Sequence, residues 1–115
     1  MKELAQLHCS PVKANTPALT EDEIRQLLAK LSGWRIDEKE GEQRLQKIFK
    51  FENFVQAVGF TDRIAAEANQ EDHHPAILTE WGKVTVTWWT HKIKGLHQND
   101  FIMAAKTDHI FEGPV

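Results

Sequence analysis

Residues 73–91 read HHPAILTEWGKVTVTWWTH, and the architecture of the chain can be built outward from them. Pro75 rules out a helix here and pushes His74 into an extended conformation, because the pyrrolidine ring collides with an α-helical preceding residue. Ala76 to Glu80 is a short apolar run, Gly82 and Lys83 make a turn, and Val84 to Thr90 is β-branched and aromatic, as strands prefer. Together they predict an antiparallel hairpin. Alternation puts Val84, Val86 and Trp88 on one face and Thr85, Thr87, Trp89 and His91 on the other, the polar set being the open face.

Upstream, Asn53 can cap a long helix in which Phe54, Ala57, Val58, Thr61, Ile64, Ala65 and Ala68 recur at helical spacing. Before it, Trp34 and Ile36, then Leu45, Phe49 and Phe51, suggest two more antiparallel strands joined around Gly41. A first helix starts at a capping box of Thr20 and Glu23, with Leu19 and Ile24 at staple spacing. Ile24, Leu27, Leu28 and Leu31 form its apolar stripe, and Gly33 closes it near Ser32. Downstream, Gly95 breaks the strand, and Asn99 or Asp100 starts a last helix through Ile102, Ala105, His109 and Ile110 that Gly113 and Pro114 end. The expected fold is α+β, a four-stranded antiparallel sheet with three helices packed on one face. Residues 1–19, with Pro11 and Pro17 and no periodicity, read as an irregular N-terminal segment, and residues 20–112 as a single domain.

Composition narrows the function. With 115 residues, 41% apolar and 27% charged, the chain has the make-up of a globular protein able to bury its own core. A net charge of −3, from 14 basic and 17 acidic residues mixed along the sequence, provides no field for a phosphate backbone, so direct nucleic-acid binding is not expected. No apolar run spans a membrane and the first residues do not resemble a secretory signal, so the expected location is the cytoplasm. Cys9 is the single cysteine, which forbids an internal disulfide and a cysteine-cluster metal site. Tyrosine is absent, which leaves proton transfer near neutral pH to the six histidines or to a carboxylate with a shifted pKa.

Four of those histidines, His73, His74, His91 and His97, fall within residues 73–97. Each alone reads as a solvated loop or strand-end residue. Antiparallel pairing, however, brings His73, His74 and His91 to one end of the hairpin, an arrangement suited to acid–base chemistry. Three imidazoles with a carboxylate such as Asp100 are also a zinc-ligand set by type. Against that, neighbouring residues of an extended segment point to opposite sides and no HExxH pair is present, so no metal is expected. Nucleophilic catalysis has no G-x-S-x-G elbow to support it, and Cys9 is remote in sequence. Trp34 and Trp88 read as core. Trp81 and Trp89 suit the walls of a flat aromatic ligand, and Trp89 equally suits a subunit interface.

His73-His74-Pro75, five residues to Trp81, nine more to His91 and eight more to Asp100 resemble the signature of the pterin-4a-carbinolamine dehydratases. The order of helices and strands from Thr20 to Phe111 agrees with that family. Many members carry an acidic residue four positions before the first histidine. Here that position is Asn69, with Glu67, Glu71 and Asp72 close by. The resemblance implies dehydration of a 4a-hydroxytetrahydropterin to the quinonoid dihydropterin, which recycles the cofactor of aromatic amino-acid hydroxylases. It implies catalytic roles for His73, His74 and His91, with His73 and His91 as candidate acids and His74 as base or positioning group. It also implies substrate contacts from His73, His74, Pro75, Trp81, Thr90, His91, Lys92 and Asp100, backbone groups of Thr90 to Lys92 meeting the pterin edge. No cofactor is implied. The implied partners are the pterin, a second copy in a dimer or tetramer, and an aromatic amino-acid hydroxylase. A transcriptional co-regulator role on the same fold, or a pterin-binding domain without catalysis, are the alternatives.

Overall fold

Local devices start the first two α-helices where the sequence places them. In the computed structural model, which describes residues 3–113, the Thr20 hydroxyl accepts from Glu23 N–H at 3.2 Å and the Glu23 carboxylate accepts from Thr20 N–H at 2.8 Å. Helix α1 (Glu21–Leu28) follows. It stops short of Ser32, because Lys30 and Leu31 donate to Leu27 and Leu28 and so tighten the last turn into 3₁₀ form. Gly33, at φ +84°, serves the turn into the sheet rather than the helix end. Asn53 caps helix α2 (Phe54–Glu71) by accepting from Gln56 N–H at 2.9 Å. The buried face of α2 is Ala57, Phe60, Ile64 and Ala68. Phe60 is thus a core residue absent from the expected stripe, whereas Phe54 is 47% exposed and Ala65 is exposed.

Strands β1 (Arg35–Lys39) and β2 (Glu42–Lys50) are joined by Glu40 and Gly41, both at positive φ, the geometry whose twist matches antiparallel strands. Strands β3 (Ala76–Glu80) and β4 (Lys83–Trp88) form the second hairpin. The sheet order is β1-β2-β4-β3, antiparallel throughout, with all three α-helices on one face. Val84, Val86 and Trp88 are fully buried under the helices, as alternation predicts, and face Phe49, Lys47 and Leu45 across the ladder. Lys47 is tolerated on this core face because its ammonium reaches Asp108 Oδ1 at 2.8 Å and the Ser32 carbonyl at 2.9 Å.

The return strand ends at Trp88, earlier than expected. Thr90 and Gly95 form an isolated bridge around a 3₁₀ turn at His91–Ile93, so His91 opens a turn rather than ending a strand. Helix α3 (Gln98–Glu112) is capped by His97, not by Asn99 or Asp100. His97 Nδ1 accepts from Asn99 N–H and Asp100 accepts from His97 N–H, both at 2.9 Å. Burial of Phe101, Ile102, Met103, Ala104 and Thr107 shows that α3 is covered on more than one side, so its single expected stripe understates it and His109 lies exposed. Its neighbours are the sheet, α1, α2 and the 3₁₀ turn at Leu4–Gln6, whose Leu4 joins the core. Gly113 ends α3, while Pro114 lies outside the described residues. Among the described residues, no helix is long and apolar enough to cross a membrane.

Phe49 is the centre of the aromatic packing, with Phe60 and Phe111 at 4.9 and 5.0 Å between ring centroids and Trp34 at 6.0 Å. Phe49→Ala should therefore destabilise the fold by about 3–5 kcal/mol. Equilibrium urea denaturation against the parent chain measures this, and a loss under about 1 kcal/mol would contradict the packing described.

Candidate active site

The site begins where α2 ends. Asp72 takes the left-handed conformation, φ 53°, and His73 N–H returns to the Ala68 carbonyl at 3.1 Å, a Schellman closure made without glycine. The chain thereby reverses and lays the His73 ring against Trp88, with centroids 5.8 Å apart and planes 13° from parallel. His73 Nε2 meets Asp100 Oδ1 at 2.6 Å. Asp100 is fully buried, and its other oxygen accepts from the Thr90 hydroxyl and from His97 N–H, both at 2.9 Å. A carboxylate held in this way orients the imidazole.

His74 is exposed, and its Nε2 lies 3.0 Å from Asn69 Oδ1. A carboxamide oxygen only accepts, so Nε2 is the donor in this contact and Nδ1 is left outside it. Position 69 thus contacts the second histidine through an amide. The other acidic residues near it are placed differently, Asp72 on the cavity wall and Glu71 against the N-terminal segment. His91 is largely exposed, with Nδ1 3.4 Å from Glu42 Oε2. Burial pushes the His97 pKa down, which suits the neutral ring that its capping bond requires.

His73, His74 and His91 share a cavity of about 420 Å³ with Asp72, Trp89, Thr90, Lys92 and Asn99. Ser10, Pro11 and Val12 form its remaining wall. Trp89 lies under the Arg44 guanidinium, 4.1 Å from the ring centroid, and its buried Nε1 has no hydrogen-bond partner among the described residues. Thr90 N–H donates to Gly95 O, and the Thr90 carbonyl accepts from Ile93 and Gly95. Both backbone groups of Thr90 are therefore engaged within the turn.

Three residues expected to contact substrate are not among those that line this cavity. Asp100 stands behind His73 rather than in the cavity wall, and Pro75 does not line the cavity either. Trp81, 74% exposed, sits at the tip of the β3–β4 hairpin. Because Ala76 pairs with Thr87 and Glu80 with Lys83, Trp81 is a strand length, roughly 15 Å, from the histidine end. Sequence reasoning named Asp72 only as a neighbour of position 69, and as site residues it missed Asn99, Glu42 and the Ser10–Val12 wall. None of them belongs to a spaced motif, and the wall comes from a segment without periodicity. Among the described residues no three His, Cys, Asp or Glu side chains converge as metal ligands.

Residues 17–110 match the family described as Pterin 4 alpha carbinolamine dehydratase. The chain belongs to that family. A relative from Microcystis aeruginosa is 55% identical over 111 residues, 96% of each chain, and one from Nitrosococcus oceani is 52% identical over 112 residues, 97% of this chain and 99% of its own. Both bear the name pterin-4-alpha-carbinolamine dehydratase in provisional form. A Brucella melitensis structure described as a transcriptional coactivator/pterin dehydratase superposes with TM-score 0.74 at 35% identity, covering 82% of this chain and 98% of that one. A pterin dehydratase-like protein described as a RuBisCO assembly factor in the alpha-carboxysome shares the fold, with TM-score 0.59 at 24% identity over 71% of this chain and 93% of its own.

Cys9 is the thiol nearest the site, and burial, reinforced by the Glu71 and Asp100 carboxylates, pushes its pKa up to about 12. At neutral pH it stays protonated and is a poor nucleophile. Burial also pushes the Glu71 carboxyl upward, but the Cys9 N–H at 2.8 Å, the His8 ring at 2.7 Å and the Lys106 ammonium outweigh it and leave the pKa below 4.5. The unfolded chain thus holds this proton more tightly than the folded one. The stabilisation is complete above about pH 4.5 and is lost as the pH falls through the lower folded value. Glu71→Gln should be less stable than the parent at pH 7, and the gap should narrow on acidification. Thermal melts from pH 7 to 3 measure it, and a gap independent of pH would refute the anchoring role.

Proposed function

We propose that the chain is a cytoplasmic 4a-hydroxytetrahydropterin dehydratase, forming the quinonoid dihydropterin by histidine acid–base catalysis and so recycling the cofactor of aromatic amino-acid hydroxylases. The observation that carries this is the convergence of His73, His74 and His91 on one cavity, with His73 backed by a fully buried carboxylate. The reaction breaks the bond between C4a and its hydroxyl. An acid protonates the departing oxygen, which leaves as water, and a base removes the proton from a ring nitrogen. His73, oriented by Asp100, and His91, on the exposed rim, are suited to the acid steps. His74, with Nε2–H on Asn69, has Nδ1 available as base or positioning group. Half-buried Trp89 supplies aromatic surface for a flat ring.

The same reading includes a homo-oligomer, a dimer or tetramer, and a hydroxylase that generates the substrate. Self-association is supported by the face of the sheet opposite the helices, where Ile48 and Leu78 are 41% and 58% exposed on either side of Thr85, and by the outer edges of β1 and β3. Sedimentation velocity at micromolar concentration should show a dimer or tetramer. A monomer throughout would remove this part of the proposal.

Stopped-flow decay of 4a-hydroxytetrahydropterin, with and without the protein, tests the activity. His73→Ala and His74→Ala should each lower turnover by roughly 10²- to 10⁴-fold, the contribution of a positioned acid or base. His91→Ala should do less, since its side chain is largely exposed and its Glu42 contact is long. His109→Ala, on the exposed side of α3, serves as the control. Near-parent rates in both the His73 and His74 variants would overturn the assignment of roles. An inert parent chain would leave the interaction role, a description the Brucella melitensis structure also bears, as the better reading.

A further inference from the structure

Helix α3 is started by a residue that can titrate. Helices are ordinarily capped by serine, threonine, aspartate or asparagine, whose side-chain oxygen accepts a hydrogen bond throughout the neutral range. Here the cap is His97, and its Nδ1 accepts from Asn99 N–H at 2.9 Å. An imidazole nitrogen accepts only through a free lone pair, so this ring is neutral and carries its proton on Nε2. The same residue also supplies a backbone donor. His97 N–H reaches Asp100 Oδ2 at 2.9 Å, and the other oxygen of that buried carboxylate meets His73 Nε2 at 2.6 Å. Capping ring, helix start, carboxylate and candidate acid thus form one series of contacts.

A proton on His97 Nδ1 breaks the first of these contacts. The nitrogen changes from acceptor to donor and then faces Asn99 N–H, a second donor, so the capping bond is lost and a backbone group is left without its partner. The positive charge is also placed at the end of the helix that disfavours it. Burial is the largest influence on this proton and opposes it; Asp100 on the same helix attracts it, His73 from the loop after α2 repels it, and the Asn99 side chain attracts it, with the balance below the ordinary value of 6.5. The unfolded chain therefore binds this proton more readily than the folded one. The stabilisation from the neutral cap is complete above about pH 6.5 and is lost as the pH falls through the lower folded value.

We infer that His97 is a positioning residue for the proposed reaction: its neutral ring fixes the start of α3 and, through Asp100, the orientation of the His73 imidazole, so that a proton taken up at His97 disengages His73. This rests on the proposed dehydratase activity and on His73 as one of its acids. His97 does not line the cavity, so it acts through Asp100 and not on the ligand. The role belongs to the capping bond, which an oxygen that does not titrate near neutral pH can also make. That separates His97 from His73 and His74, whose proposed work needs an imidazole.

The test compares the full chain with His97→Ala and His97→Ser. Above neutral pH, His97→Ala should lower kcat for 4a-hydroxytetrahydropterin by about tenfold with KM changed by less than about twofold, as loss of orientation without loss of binding requires. His97→Ser restores a capping oxygen and should return kcat to within about twofold of the parent. On acidification below about pH 6.5, the ratio of His97→Ser to parent kcat should rise, because the catalytic histidines titrate in both chains and only the parent has a cap that protonates. Nuclear magnetic resonance of the His73 ring supplies a readout that needs no turnover: its signals should follow the His97 titration in the parent and lose that step in His97→Ser. Parent-like kcat in His97→Ala, failure of His97→Ser to recover it, or the same pH dependence of the His73 signals in parent and His97→Ser overturns the positioning role and leaves the dehydratase reading standing. An inert parent chain overturns the dehydratase reading, and with it the effect on turnover, while the His73 signals still decide whether His97 governs that ring. Should His97→Ala fail to fold, the comparison of the parent with His97→Ser decides the matter alone.

Discussion

The Asp100 carboxylate is fully buried, and a buried carboxylate is stable only where donors surround it. Its donors come from three separate places: the His73 ring after α2, the Thr90 hydroxyl beyond β4, and the His97 N–H that opens α3. Leaving any one donor unmatched costs about 1–3 kcal/mol, so the loop after α2, the end of the hairpin and the start of α3 are bound to a common geometry. The candidate site occupies that junction. The group that holds these segments together also holds the histidine, so the stability of the junction and the orientation of the imidazole have one cause.

Around this junction the fold supplies rigidity on one side and adaptability on the other. Trp88 lies flat under His73 and donates its indole N–H to the Thr107 hydroxyl at 3.1 Å, so the stacking surface is fixed by α3. His91 has no comparable support. It opens a short 3₁₀ turn and touches Glu42 only at 3.4 Å. The three histidines therefore differ in freedom, from His73, pinned by a buried carboxylate, through His74, steadied by an exposed amide, to His91, nearly free. A reaction that needs one oriented acid and a second proton carrier adaptable to the ligand is well served by that gradient.

Much of the fold was legible in the sequence because its signals are local. The Thr20–Glu23 box, the Asn53 cap and the alternation of Val84, Val86 and Trp88 each act within a few residues, and all hold in three dimensions. Element ends were less legible. The last turn of α1 tightens before Gly33, and β4 stops at Trp88, because packing and the Thr90–Gly95 bridge outweigh propensity at those positions. Phe60 lies on the period of the stripe α2 buries, three residues after Ala57 and four before Ile64, and the rings of Phe49, Phe51 and Phe111 meet it there, so the omission was one of reading and not of signal.

For the site, the sequence by itself determined which histidines lie at one end of the hairpin, since antiparallel pairing about a turn at Gly82 brings positions 73, 74 and 91 to its far end, although the turn falls at residues 81–82 and not at Gly82 and Lys83. Tertiary structure decided the remainder. Asp100 meets His73 across 27 residues of chain and Asn99 meets Ser10 across 89, contacts that no local pattern encodes. Trp81 shares the spaced motif yet stands at the far end of the same hairpin, while Pro11 and Val12, from a segment with no pattern, line the cavity. The physical reason is the range over which each influence acts. Caps, turns and alternation are decided between near neighbours, whereas burial and the satisfaction of buried polar groups are decided by whatever the folded chain brings alongside.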